Sequence, residues 1–139
     1  MRLLLDTNVL IAYERKNAAA IALVNRNDCI TSAIAVLEFD QFLPVQKGKR
    51  KPFLEIFPTI QVLTFDTHCA TIAASQVQQF RALRTPKGKP AIDENRLIKL
   101  TLDTMIAATG IANHVCVVTD NKKDFSIYAG LKFQTLNVD

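Results

Sequence analysis

The sequence predicts an α/β domain built on a central, mostly parallel β-sheet with helices covering both faces. Short apolar runs alternate with helical stretches along the whole chain, as repeated βαβ units require. The clearest strands, Leu3–Leu5 and Val115–Val118, are unbroken apolar runs, the form expected of strands buried on both sides. The 139 residues are 49% hydrophobic, and a domain of that length buries about two-thirds of its unfolded surface without staples. No internal repeat, low-complexity tract or Ser/Gly linker divides the chain, so residues 1–139 are expected to form one domain.

In chain order, Arg2–Leu5 reads as a strand ending at Asp6, and Thr7–Glu14 as the helix that follows. Asn17–Arg26 is Ala-rich and helical. Cys29–Thr31 is a short strand, and a helix runs from Ser32 to about Phe42, capped by Thr31 or Ser32. Pro44 stops it. A helical piece over Pro52–Phe57 ends before Pro58, and Ile60–Phe65 is the third strand. Asp66 or Thr67 caps a long helix reaching about Arg84. The segment TPKGKP, Thr85–Pro90, carries two prolines and a glycine and reads as the most mobile loop. A helix covers at least Leu100–Asn113, and Val115–Thr119 is a buried strand. DNKKDF then turns into a short helix, and Lys132–Leu136 is the last strand.

Composition narrows the function. The 17 basic and 13 acidic residues leave a net charge of +4, which suits a polyanionic partner and argues against disorder. No apolar run approaches the roughly 20 residues that cross a membrane. Asp6 interrupts the opening Leu3–Leu5 too early for a signal peptide, so the chain reads as cytoplasmic. Cys29, Cys69 and Cys116 are widely spaced with no CxxC and no paired His. They are expected to be small buried hydrophobes rather than disulfide or zinc ligands. His68 and His114 stand alone, as surface or helix-end residues do. Four glycines contain neither GxGxxG nor GxxxxGK[ST], which removes nucleotide-dependent readings.

Ligands of parallel sheets bind beyond the carboxyl ends of the strands, where strand order reverses. Acids stand there. Asp6 ends the first strand in LLLDTNVL, and Asp120 follows VCVVT. Glu38 in SAIAVLEF and Asp103 in LTLDTMIAATG lie in apolar helices, where an ionised carboxylate is costly unless paired or metal-bound. Each has an ordinary explanation: Asp6 as a helix cap, Glu38 as a solvent-facing residue, Asp120 as a turn residue. Gathered in one crevice, the same acids would repel one another and hold protons unless cations filled it. Oxygen ligands without thiolate or paired His suit Mg2+ or Mn2+. The matching chemistry is metal-assisted cleavage of phosphodiesters.

In order, LLLDTNVLIAY, ITSAIAVLEF, LDTMIAAT and VVTDNKKDF resemble the motifs of the PIN-domain family, and within it the VapC-type toxins of prokaryotic toxin–antitoxin pairs. The resemblance covers essentially the whole chain. It implies a PIN-like three-layer fold and a Mg2+- or Mn2+-dependent endoribonuclease. Carried over by position, Asp6, Glu38 and Asp103 match the family's three best-defined acids. For the fourth, family members often place an acid at the second or fifth position after the Thr of the last motif. Here the second is Asn121, while Asp120 and Asp124 are acids, Asp120 being the first choice. Asn8 and Thr119 would hold the carboxylates in place. The stretch KGKPAIDENRLIKLTLD is longer and more charged than the family's short approach to this helix. It raises Asp93 as a further acid, with a solvated loop the alternative.

The basic residues form two runs, Lys47, Lys49, Arg50 and Lys51, then Arg81, Arg84, Lys87 and Lys89 with Arg96 and Lys99. Each run suits a solvated face; beside an acidic metal pocket it would also bind an RNA backbone without reading sequence. With no Trp and two Tyr, stacking platforms are scarce, so RNA shape would govern choice. The resemblance implies a homodimer and a cognate VapB-like antitoxin, which often places an Arg or an extended segment in the acidic pocket. Val9, Leu10, Tyr13, Phe39, Phe42, Leu43, Phe53 and Phe57 would supply apolar contact surface or, alternatively, core. Two competing readings remain. One is a catalytically inactive PIN-like RNA-binding or adaptor domain. The other is an acid-pocket phosphoryl-transfer domain. Asp6-Thr7-Asn8 lacks the second Asp of a HAD-type phosphatase, while Asp66 after the third strand keeps a receiver open.

Overall fold

The computed structural model describes residues 2–41, 43 and 50–136. Its order is β1 (Arg2–Leu5), α1 (Thr7–Glu14), α2 (Ala18–Arg26), β2 (Asp28–Ser32), α3 (Ala33–Asp40), α4 (Phe53–Ile56) and β3 (Gln61–Leu63). There follow α5 (Thr67–Ala82), α6 (Glu94–Lys99), α7 (Thr101–Ala112), β4 (Cys116–Val118), α8 (Lys122–Phe125) and β5 (Phe133–Gln134).

The strands form one five-stranded sheet in the order β3-β2-β1-β4-β5, and every pair is parallel. Leu3, Leu4 and Leu5 pair with Cys29, Ile30 and Thr31 on one side and with Cys116, Val117 and Val118 on the other. From β1 the chain builds outward to β2 and β3, then crosses back to β4 and β5. Right-handed crossovers therefore put α1–α4 on one face and α5–α8 on the other. The order reverses between β1 and β4, and this crevice receives Asp6 and Thr119 directly from the strand ends. Contact between α3 and α7 links the two layers at that end.

The local signals explain the elements. Asn17, Ser32, Asp66 and Asp93 each accept a backbone N–H in the first turn of the helix they precede, satisfying donors that a helix start leaves open. The core runs through Leu3–Leu5, Ile30, Val117 and Val118, with Ile106 and Ala107 of α7 beneath the sheet. Val9, Leu10, Phe39, Phe53 and Phe57 are buried core, and Phe39, Phe53 and Phe57 stack edge-on or tilted with centroids 5.1–6.2 Å apart. Tyr13 is half-buried against Phe57, and Phe42 and Pro44 lie outside the described residues. Among the described residues no helix is long and apolar enough to cross a membrane.

The structure departs from the sequence reading in several places, the third strand among them, which shrinks to Gln61–Leu63. Thr85–Pro90, expected as a loop, lies between α5 and α6 and carries hydrogen bonds from Thr85 N to Lys89 O and Gly88 N to Thr85 O, 2.8 Å each. The last strand shrinks to Phe133–Gln134. Helix α6 was not expected at all. Of the cysteines, Cys69 is buried, but Cys29 and Cys116 are half-buried; burial still pushes the Cys29 thiol up to about 11, far from a reactive thiolate at neutral pH.

Candidate active site at the strand switch point

Asp6 leaves β1 where the sheet order reverses, and its carboxylate is almost fully enclosed, 4% exposed. Its Oδ1 accepts the Thr7 backbone N–H at 2.8 Å. Its Oδ2 accepts the Thr119 hydroxyl at 2.7 Å and the Asn8 amide at 3.2 Å. The helix-cap role and the crevice role thus belong to the same residue. Thr119, itself fully buried, also accepts the Asn121 backbone N–H at 3.0 Å. Asn8 closes the ring by accepting the Asp120 backbone N–H at 3.2 Å. Asn8 and Thr119 thus both hydrogen-bond the Asp6 carboxylate.

Glu38 reaches the crevice from the second half of α3, where its Oε1 accepts the Thr7 hydroxyl at 3.0 Å. Asp103 comes from the first turn of α7 on the opposite layer, with the Asn121 amide 3.5 Å from its Oδ2. A cavity of about 240 Å3 is lined by Asp6, Thr7, Asn8, Glu38, Asp103 and Asn121, with Ile11 and Gln41. Three acids from β1, α3 and α7 therefore face one small space. Thr7, Ile11 and Gln41 were missed as lining residues, and two of them could have been found. Both had a signal, since Thr7 adjoins Asp6 and Gln41 lies one helical turn beyond Glu38 on the same face.

Electrostatics agree with the geometry. Burial holds the Asp6 carboxyl above its ordinary value against the Thr119 and Thr7 hydrogen bonds, and Asp120 adds repulsion. Glu38 is raised by burial and by Asp6, with the Thr7 hydrogen bond opposing. Asp103 is pushed up to about 7 by burial first, then by repulsion from Asp6, Glu38 and Asp124. Carboxylates that share a site raise one another, and a bound cation would offset that repulsion. An all-oxygen donor set with that excess charge fits Mg2+ or Mn2+. Among the described residues, no three Asp, Glu, His or Cys side chains stand close enough to hold a metal ion as they are.

The fourth-acid candidates part company. Asp120 is exposed at the crevice edge and its Oδ1 accepts the Leu136 backbone N–H at 3.3 Å. Asp124 accepts the Asn121 amide at 2.9 Å and forms an ion pair with Arg96, which together hold its carboxyl below the usual range. Asp93 caps α6 by accepting Arg96 N at 2.8 Å and lines a different cavity. Asp66, the receiver candidate, caps α5 beyond the edge strand β3 and does not line the acid pocket. Of the basic residues, Lys47 and Lys49 lie outside the described residues. Arg50 is engaged by Glu14 at 3.0 Å and sits 4.4 Å over the Phe39 ring. Lys51, Lys87 and Lys89 are exposed, and Arg84 is exposed while donating to the Arg81 and Leu83 carbonyls. A larger cavity of about 620 Å3, lined by Tyr13, Ile21, Arg50 and Ile56 among others, lacks an acid cluster.

Comparison with known proteins places the fold. The PIN domain model matches residues 3–131. DNA-bound VapBC from Salmonella typhimurium is similar at a TM-score of 0.74 and 21% identity, covering 99% of this chain and 99% of that one. VapBC2 from Rickettsia felis, bound to a DNA fragment from their promoter, is similar at 0.71 and 20%, covering 97% and 98%. FitAcB from Neisseria gonorrhoeae is similar at 0.67 and 27%, covering 95% and 96%. Among curated protein sequences none matches.

Proposed function

The chain belongs to the PIN domain family, and from that premise we propose that it is a Mg2+- or Mn2+-dependent endoribonuclease, the toxin of a toxin–antitoxin pair. One observation carries the reading: Asp6, Glu38 and Asp103, drawn from three separate elements, line one cavity at the strand switch point. These three residues would hold the divalent cation. When bound, such an ion lowers the pKa of water and offsets charge developing on the phosphoryl and leaving oxygens. Thr119, Asn8 and the Thr7 backbone N–H fix the Asp6 carboxylate, and the Thr7 hydroxyl fixes Glu38. Asp120 is proposed as an outer contact to the ion's water, and Asp124 as an anchor for Asn121. Lys47, Lys49, Lys51, Arg84, Lys87 and Lys89 are proposed to meet the RNA backbone; Arg50 joins them only by leaving Glu14.

The similarity to VapBC and FitAcB supports a cognate antitoxin as partner, and a homodimer follows the family resemblance. A guanidinium from that partner would satisfy the same carboxylates that hold the metal, so inhibition by charge substitution is physically sound. A second reading is a catalytically inactive PIN-like RNA-binding or adaptor domain. It draws on the spacing of the acids, which leaves no closed three-ligand site among the described residues.

The deciding experiment incubates purified, partner-free protein with total RNA and Mg2+ or Mn2+, beside an EDTA control and Asp103→Asn. Cleavage that needs metal and disappears in Asp103→Asn is expected. Absence of cleavage by the wild type would favour the adaptor reading. Retained cleavage in Asp103→Asn would overturn the assignment of the site.

A further inference from the structure

A hydrogen bond joins the lining of the acid pocket to that of a second cavity. Asn121 lines the first, and its amide donates at 2.9 Å to Asp124, which lines the second. That second cavity, about 460 Å3, lies between the α6 region and α8. Ile92, Leu100 and Ile127 give it an apolar side, and Arg96 and Lys123 stand on it beside the carboxylates of Asp93 and Asp124. Arg96 is held at the rim by Asp124 alone among the described side chains, and 45% of its side chain stays accessible. A guanidinium has five N–H donors, so most of its capacity faces outward. Lys123 is exposed. Arg2, Arg50 and Arg81, by contrast, are each paired with an acid that does not line this pocket.

A cavity with an apolar wall, a charged rim on which Arg96 and Lys123 keep exposed N–H groups beside Asp93 and Asp124, and a size in the range of small-ligand sites suits a molecule with a flat apolar face and an anion reaching those groups. A nucleotide has both. Arg is especially suited to the anion because its fork matches two phosphate oxygens. The Asp124 carboxylate keeps that fork in place before the ligand arrives.

We propose that this cavity is a subsite for one nucleotide of single-stranded RNA next to the cleaved bond, with its phosphate on Arg96 and Lys123 and its base on Ile92 and Ile127. The position next to the cleaved bond rests on the ribonuclease reading above. Occupancy by a nucleotide does not. The subsite is built by α6, so the long charged approach to α7 gains a role beyond a solvated loop.

The test uses the full chain carrying Asp103→Asn to prevent cleavage, with Mg2+ and a fluorescent oligoribonucleotide read by anisotropy across a salt series. Arg96→Gln and Lys123→Gln are each expected to weaken binding about three- to tenfold and to lower the salt slope by about 1. Arg96→Lys should recover part of the affinity, which a purely structural ion pair would not require. An Ile127→Asp variant should lose its preference for an intact over an abasic oligonucleotide. Unchanged affinity and slope in Arg96→Gln, or no RNA binding at all, would overturn the subsite. RNA binding that depends on Arg96, in a wild-type protein that never cleaves, keeps the subsite and removes the nuclease reading. Cleavage with an indifferent Arg96 does the reverse.

Discussion

The Thr119 hydroxyl donates to Asp6 Oδ2 across the point where strand order reverses, 2.7 Å from the end of β4 to the end of β1. The two residues are 113 apart in sequence, and both are buried. The bond offsets part of the burial that drives the Asp6 carboxyl upward. It also ties together the two central strands whose ends form the crevice.

Thr119→Val should therefore have two separable effects. Loss of the donor to a buried carboxylate, and of the acceptor for Asn121 N, should cost about 1–3 kcal/mol in urea unfolding. The Asp6 carboxyl would rise further, moving the acidic limb of any metal-dependent activity to higher pH. A stability loss with an unmoved pH limb would show that Thr119 supports the fold without tuning Asp6.

Gly110 tests how closely α7 lies on the sheet. A Cβ at this position would stand 2.6 Å from Val117 Cγ2, and Val117 is fully buried in β4. A β-branched side chain held on both sides has little room to yield. Gly110→Ala should destabilise by about 1–3 kcal/mol through overpacking, visible as a lower denaturation midpoint with unchanged m-value. A neutral or stabilising substitution would mean that α7 and β4 separate easily, and with them Asp103 and Thr119.

The acids were legible because they stood where acids are expensive. Asp103 stands among Leu100, Leu102, Met105 and Ile106 in a mostly apolar helix, and Asp6 closes an unbroken Leu run; no contact map is needed to find either odd. Partnerships were not legible in the same way. Thr7 meets Glu38 across 31 residues, and Arg96 meets Asp124 across 28. Both depend on how two helices settle against each other, which residue spacing does not encode. Helix α6 escaped notice because it is six residues long with Leu97 its buried residue, too short for a helical period to show. The Ala18–Arg26 helix and the buried strands β1 and β4 followed directly from composition and apolar runs.

Asp103 predicts an inverted pH dependence of stability in the cation-free protein. Its carboxyl moves from an ordinary 3.8 to about 7 in the folded chain. Between those values the folded state holds a proton that the unfolded state releases. Its contribution is complete below about pH 4 and is lost as pH rises through about 7; Glu38 and Asp6, also raised, act in the same direction. Asp103→Asn should accordingly flatten the decline and stabilise the metal-free protein at pH 7.5 by about 1–2 kcal/mol, a figure reduced for the water reaching a half-buried carboxylate. Added Mn2+ should reverse the ranking, stabilising the wild type more than the variant. Equal thermal shifts with Mn2+ in both proteins would remove Asp103 from the metal site.

The fourth acid can be assigned by comparing two conservative variants. Asp120 is exposed and its side chain accepts Leu136 N, a contact that Asn can keep. Asp124 is already matched by Asn121 and Arg96, so its charge is offset before any metal binds. Neither arrangement resembles that of Asp103, whose carboxyl is raised by burial and by Asp6, Glu38 and Asp124 against a weaker pull from Arg96. Asp120→Asn and Asp124→Asn should each lower RNA cleavage by about 10-fold, the scale of groups acting through a metal ligand or its water. Asp103→Asn should lower it by at least about 100-fold. Measured at saturating Mn2+, a loss in Asp120→Asn as deep as that in Asp103→Asn would make Asp120 a direct ligand. A loss of that depth in Asp124→Asn would mean that Arg96 releases it when the metal enters.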